Sequence, residues 1–313
     1  MRGVYIVAND KVSENAIALM SSLRSHDPDI PVFLIPFDDH HQNVARQLAD
    51  MYGVQLFPDL AFLNTLTQTI GEIFPQDFLA LPNKMRKLAA WFGPLDEFLY
   101  IDTDILFFTT VTDTLSYLEQ ADFIWCDYQF KRGLKDVFSK VVLAQNIFEP
   151  RALEDVFNSG LWGSRKSALT IEQLYETLKE CASHKAYFDF SSGCTDQPIM
   201  NYLVLKTIPR RLNIVKANPG EPGSWGGNPK FEQRGEQLFD DNRPLRYLHW
   251  AGTPMEPGGP YRSLWTYYRY LNDPEGKAYA AANQPKPPSS FRRLTEGVKD
   301  KLRATLKKPY KIR

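Results

Sequence analysis

Cysteine is scarce in this chain: Cys126, Cys181 and Cys194 are the only three in 313 residues. An odd number without paired spacing excludes a disulfide framework, offers no zinc-type cluster and points to a reducing compartment. Net charge is missing too. Lys plus Arg and Asp plus Glu stand at 37 each, so no global field gathers nucleic acid or an acidic polymer. No apolar run approaches the roughly 20 residues that span a bilayer. Met1 and Arg2 run straight into the strand-like "VYIVA", without a basic and apolar leader. These absences predict a cytoplasmic protein with no membrane span and no nucleic-acid partner. What is abundant is apolar and aromatic material, 43% and 13%, enough for a large core in one big domain or two modest ones.

Short apolar runs alternate with helical patterns from the start: Val4 to Ala8, a helix around Asn15 to Arg24, Ile30 to Phe37, then a helix around Val44 to Tyr52. That order predicts an α/β fold, a central, mostly parallel mixed sheet flanked by helices. A helix over Asn83 to Phe92 is expected next, with Met85, Leu88 and Trp91 on its buried face and Lys84 and Lys87 near its edge. Further strands are expected at Asp122 to Cys126, Val156 to Gly163, Leu212 to Ala217 and Arg246 to Trp250, and helices at Ile171 to Ala182 and Asp196 to Lys206.

The segment "ANPGEPGSWGGNPKFE", with Trp225 inside it, reads as a binding loop or as a plain surface excursion. After "NQPKPPSS" the composition changes, so a folded domain over 1–285 and a tail over 286–313 are expected. The tail holds ten basic residues against Glu296 and Asp300, and Phe291, Leu294, Val298, Leu302 and Leu306 fall on one helical face. Two readings fit it. One is a peripheral contact with an anionic membrane, attracted by about 1 kcal/mol per basic residue. The other is a solvated, solubilising tail.

The stretch "FLYIDTDILFF" sets Asp102 and Asp104 in an otherwise apolar run. Where a strand ends and turns, two acids one residue apart can reach one ion, and a cation offsets the cost of burying both. The residues leave four readings open: a solvent-facing strand end, a haloacid dehalogenase-like phosphatase, a metal-dependent transferase of nucleotide sugars, and a nucleotide-sugar-binding protein without turnover. The phosphatase pattern fits poorly, because its acids end the first strand and are followed two residues on by Thr or Val, whereas Leu106 stands here and strands precede.

Five stretches occur together in one order: "VANDKVSENAIALMSSLRSH", "RKLAAW", "FNSGLWG", "TDQPIMN" and "LHWAG", around "YIDTDILF". Over about Val4 to Gly252 this resembles family 8 of the glycosyltransferases, the group of glycogenin, galactinol synthase and bacterial lipopolysaccharide galactosyltransferases. The resemblance implies a GT-A fold. It implies transfer of a hexose from a nucleotide diphosphate donor, typically UDP-linked, to a glycan or glycolipid hydroxyl with retention of configuration. It makes Asp102, Asp104 and His249 ligands of Mn²⁺ or Mg²⁺, a donor set that suits Mn²⁺ better.

The resemblance also assigns Ala8, Asn9 and Val12 to the border of base and ribose, and Lys87 to the donor sugar or diphosphate. Thr103, Asn158, Ser159, Gly160 and Gly252 join the donor site, and Asp196 and Gln197 lie beside the reacting carbon. Each position has a plainer reading: a sheet histidine for His249, a solvated helix face for Lys87, turn chemistry for "FNSG", and a helix cap for Thr195 and Asp196. His26, His40, His41 and His184 read as solvated. One departure stands out: the family follows His-x-x-Gly with a lysine that clamps the diphosphate, whereas this chain has Met255 and Glu256 near that place. Arg262 is the nearest candidate substitute.

Overall fold

The computed structural model describes residues 1–282 apart from 192, 194–195, 219, 225–230, 254 and 256–258. Trp225, Cys194, Thr195, Glu256 and the basic tail therefore lie outside the described residues. The chain divides into two compact units, Met1–Asn272 and Asp273–Arg313. The described part of the second is the helix Pro274–Ala282, whose start is closed by Asp273 accepting the Gly276 N–H at 2.8 Å.

Twelve strands are present among the described residues: β1 (Arg2–Ala8), β2 (Val32–Pro36), β3 (Gln55–Leu56), β4 (Glu97–Ile101), β5 (Ile105–Phe107), β6 (Phe123–Trp125), β7 (Leu161–Arg165), β8 (Arg211–Asn213), β9 (Glu232–Arg234), β10 (Gln237–Asp240), β11 (Arg243–Pro244) and β12 (Tyr247–His249). Seven form the central sheet in the order β3-β2-β1-β4-β7-β6-β8, all parallel except β7, which runs against both its neighbours. The α/β expectation is met. Strands β9 to β11 form a small antiparallel sheet, and β12 pairs antiparallel with β5.

Side chains along the central strands alternate between two cores, as the two-residue period of a strand requires. Tyr5, Phe98 and Tyr100 face one layer while Val4, Ile6, Leu99 and Ile101 face the other. Because both faces are covered, the strands read as continuous apolar runs. The first layer is aromatic: Trp162 of β7 stacks on Trp91 at 4.4 Å and on Tyr100 at 5.3 Å, its register partner across β4. Trp91 Nε1 donates to Ser164 Oγ at 2.9 Å, which fixes the ring. A third cluster forms around Leu106, Leu248, Trp250 and Trp265 and packs the helix Arg262–Arg269 near the helix Ser13–Arg24, where Trp265 Nε1 donates to Asn15 Oδ1 at 3.1 Å.

Several expectations shift. Asn83 to Phe92 falls in a 3-10 helix, Pro82–Phe92, so its apolar spacing of three is the period of the helix itself. Lys87 is not on its edge but buried, as is Arg86. "FNSG" precedes the strand, which begins at Leu161, and Leu212 to Ala217 splits into the end of β8 and a short helix, Ile214–Ala217. His26 is half-buried, and burial lowers its pKa. The helix Leu60–Ile73 and the strands β9 to β11 were not foreseen. No helix of the described residues is long and apolar enough to cross a membrane.

Trp162 is fully buried in the aromatic layer. Trp162→Ala is expected to destabilise the fold by about 3–5 kcal/mol in chemical denaturation, since it leaves a cavity in this layer.

Candidate active site

β4 ends at Ile101, the chain turns through Asp102, Thr103 and Asp104, and β5 begins at Ile105. The turn is clamped on both sides: the Asp102 N–H donates to the Gly160 carbonyl at 2.7 Å, and the Trp250 N–H donates to the Asp104 carbonyl at 3.1 Å. Register then decides where the histidine falls. His249 pairs with Ile105 across β5 and β12, so its ring lies beside the turn, with Nε2 3.2 Å from Asp104 Oδ1. One ligand atom from each of Asp102, Asp104 and His249 lies within 4.8 Å of the others. Two carboxylate oxygens and an imidazole nitrogen converging in this way fit a divalent ion such as Mn²⁺.

Gly160 makes room for that ring. A β-carbon at this position would lie 2.2 Å from His249 Cε1, so any larger residue pushes the imidazole away from the acids. The reason for this glycine is the histidine behind it.

Lys87 anchors the opposite side. Only 5% exposed, its Nζ lies 2.9 Å from Asp196 Oδ2, 3.4 Å from Asp102 Oδ1 and 3.3 Å from the Ser159 carbonyl, and 4.9 Å over the Tyr100 ring. Burial works against its charge, but Asp102 and Asp196 outweigh that and hold its pKa well above the ordinary lysine value. Asp102 is raised by burial and by the like charge of Asp104, against the pull of Lys87. Burial also acts to raise Asp104, yet the charge and hydrogen bond of His249 leave it below the usual carboxylate range. His249 is raised in turn, Asp104 overcoming its burial.

The wall of the site is the turn before β7 laid against the start of the helix Asp196–Thr207. Ser159 Oγ donates to Asp196 Oδ2 at 3.1 Å, and Asn158 Nδ2 donates to Gln197 Oε1 at 3.0 Å. Gln197 Nε2 donates to the Asp136 carbonyl at 3.3 Å, which fixes the amide's orientation. Asn201, fully buried one turn on, exchanges two hydrogen bonds of 2.9 Å with the Phe157 backbone and locks helix to turn.

These groups surround a cleft of about 310 Å³. Asp102, Asp104, Asn158, Ser159, Gly160, Asp196, Gln197, His249 and Gly252 line it, Gly252 with a φ of +69°. Lys87, bonded to the lining residues Asp102, Ser159 and Asp196, and Thr103 in the turn do not line it. Ala8, Asn9 and Val12 are at the carboxyl end of β1, away from the cleft lining; Asn9 donates to Asp38 Oδ2 at 2.7 Å and accepts the Lys11 N–H. Arg262 also faces elsewhere, donating to the Met255 carbonyl at 2.7 Å and lying 3.6 Å over the Trp265 ring.

Sequence reasoning missed Asp127, Arg132, Asp136 and Ser224, which also line the cleft. Asp127 had a signal, as it immediately follows the expected strand Asp122 to Cys126. Its two oxygens accept the Gln129 and Asn158 N–H groups at 2.7 and 2.9 Å, and burial nevertheless pushes its pKa up to about 7.

Comparison with known proteins bears on the fold. No protein-family model and no curated protein matches the sequence. Among solved structures, the galactosyltransferase LgtC in complex with donor and acceptor sugar analogues superposes with a TM-score of 0.54 at 14% identity, covering 93% of this chain and 99% of LgtC. The fold is that of the GT-A glycosyltransferases. The glycosyltransferase GlyE of Streptococcus pneumoniae TIGR4 gives 0.52 at 15% identity over 92% of this chain and 65% of GlyE. The bifunctional glycosyltransferase WbbM gives 0.51 at 13% over 88% of this chain, which spans 51% of WbbM.

Two outcomes follow from the contacts. Gly160→Ala should keep the fold and weaken Mn²⁺ binding about tenfold or more, read by titration calorimetry, because the imidazole must leave its place. For Asp127 the folded pKa is raised above the unfolded one, so the protonated form is the one the fold favours. Its contribution is present below the unfolded value near 4 and is lost as pH rises to about 7. The stability of wild type relative to Asp127→Asn should therefore fall by up to about 1.4 kcal/mol per pH unit between pH 4 and 7, measured by urea denaturation.

Proposed function

We propose that this protein is a metal-dependent glycosyltransferase that moves a hexose from a UDP-linked donor to a glycan or glycolipid hydroxyl with retention of configuration. The observation that carries the reading is the convergence of Asp102, Asp104 and His249 at the strand-end turn of a GT-A sheet. Strand ends of this kind collect nucleotides, and Ala8, Asn9 and Val12 border the base and ribose. Asp102, Asp104 and His249 would hold Mn²⁺ or Mg²⁺, which would supply Lewis-acid stabilisation of the departing nucleoside diphosphate.

The chain's own groups do the rest. Asn158, Ser159, Gly160 and Gly252 shape the sugar pocket, and Thr103 lies between the two acids at the donor. Asp196 bonds sugar hydroxyls, its charge tempered by Lys87 so that it can sit beside the other acids without expelling them. Gln197, its amide held at both ends, supports the reacting face as positive charge develops at the anomeric carbon. Lys87 serves the donor from below, by setting Asp102 and Asp196. A cytoplasmic location, and contact of the basic tail with an anionic membrane bearing a glycolipid acceptor, complete the proposal.

The test is incubation with Mn²⁺ and a panel of nucleotide sugars, following release of nucleoside diphosphate. One sugar nucleotide should be turned over, and Asp104→Ala should lower the rate about 100-fold or more, equivalent to about 3 kcal/mol of transition-state stabilisation. Equal inactivity of both proteins, with metal-independent UDP binding by each, would mean a binding protein without turnover.

A further inference from the structure

Tyr100 is fully buried on β4, two residues before Asp102 and therefore on the same side of the chain. Its ring is gripped on two sides, by Trp162 stacked at 5.3 Å and by the Lys87 ammonium at 4.9 Å. Its hydroxyl donates to Asp102 Oδ1 at 2.5 Å, the same oxygen that Lys87 approaches at 3.4 Å. Among the described residues no side chain hydrogen-bonds to Asp102 Oδ2.

We propose that Tyr100 is a positioning residue: by occupying Asp102 Oδ1 together with Lys87, it presents Oδ2 alone to the ion and makes Asp102 a one-oxygen ligand. A free carboxylate beside a divalent ion can chelate it with both oxygens, and doing so would fill a coordination position that a diphosphate oxygen needs. The aromatic layer supplies the rigidity. Trp91 is fixed by Ser164, Trp162 stacks on Trp91, and Tyr100 stacks on Trp162, so the hydroxyl is aimed from the core rather than from a mobile surface side chain.

This inference rests on the metal reading above and is tested apart from turnover. Tyr100→Phe keeps the ring and removes only the hydroxyl. Mn²⁺ affinity, measured by electron paramagnetic resonance of free Mn²⁺ without donor, is expected to stay at or above the wild-type value, because the second Asp102 oxygen takes the place of a water. The number of Mn²⁺-bound waters, from water-proton relaxation, should drop by about one as Asp102 chelates. Phe98→Leu, in the same aromatic layer but without a polar atom, is the structural control: it should lower the melting temperature and leave the number of Mn²⁺-bound waters unchanged. Tyr100→Phe keeping the wild-type number of bound waters or binding Mn²⁺ more weakly, or Phe98→Leu losing a water as Tyr100→Phe does, overturns the proposal. Wild type failing to bind Mn²⁺ overturns the metal reading itself, a result distinct from either.

Discussion

A single buried ammonium holds the site together. Lys87 meets Asp102, Asp196 and the Ser159 carbonyl, from partners 15, 109 and 72 residues away in the chain. Removing one partner of a buried ion pair costs about 3–5 kcal/mol, because the other charge is left uncompensated. Without Lys87, Asp102 and Asp196 would be neighbouring carboxylates with little solvent to screen them, and their repulsion would work against packing the turn after β4 on the helix that starts at Asp196. The cation therefore permits the acidity of the cleft. It also explains how so many acids can line one cavity while the fold keeps two fully covered cores on either side of the sheet.

The parallel strands were legible because each is an apolar run bounded by turn residues, and burial on both faces leaves no polar position to blur it. The two acids were legible for the opposite reason, as charges standing where the pattern demands apolar residues. The small sheet β9 to β11 is made of strands of two to four residues whose side chains are largely polar, so no periodicity could reveal it. The spacing of Met85, Leu88 and Trp91 was visible, but three-residue spacing fits one stripe of an α-helix as well as the 3-10 helix that forms. Burial of Lys87 could not be read locally, since its partners are brought in by tertiary contacts. Asn and Gly in "FNSG" favour a turn over a strand, and that local chemistry prevailed over the apolar residues flanking it.

Gly160 shows how one position carries two demands. Its carbonyl receives the Asp102 N–H and its missing side chain makes room for His249. Backbone and empty space at one residue thus set both halves of the triad, one from each side. Such a position is readable as a turn glycine from sequence, whereas its dependence on a residue of the last paired strand emerges only in three dimensions.

The reversed direction of β7 has a further consequence. Because it runs against its neighbours, the chain entering it meets the same sheet edge that the other strands leave. The cleft is thereby bordered by departing segments after β4 and β6 and by an arriving segment before β7. Departing loops must lead into whatever element comes next, and their paths are committed. The arriving turn is committed as well, held at each residue: Phe157 by Asn201, Asn158 by Asp127 and Gln197, Ser159 by Asp196 and Gly160 by Asp102. A lineage that alters this turn must therefore alter its partners after β4, after β6 and on the facing helix in the same steps, so that recognition can diversify only as a set of matched changes.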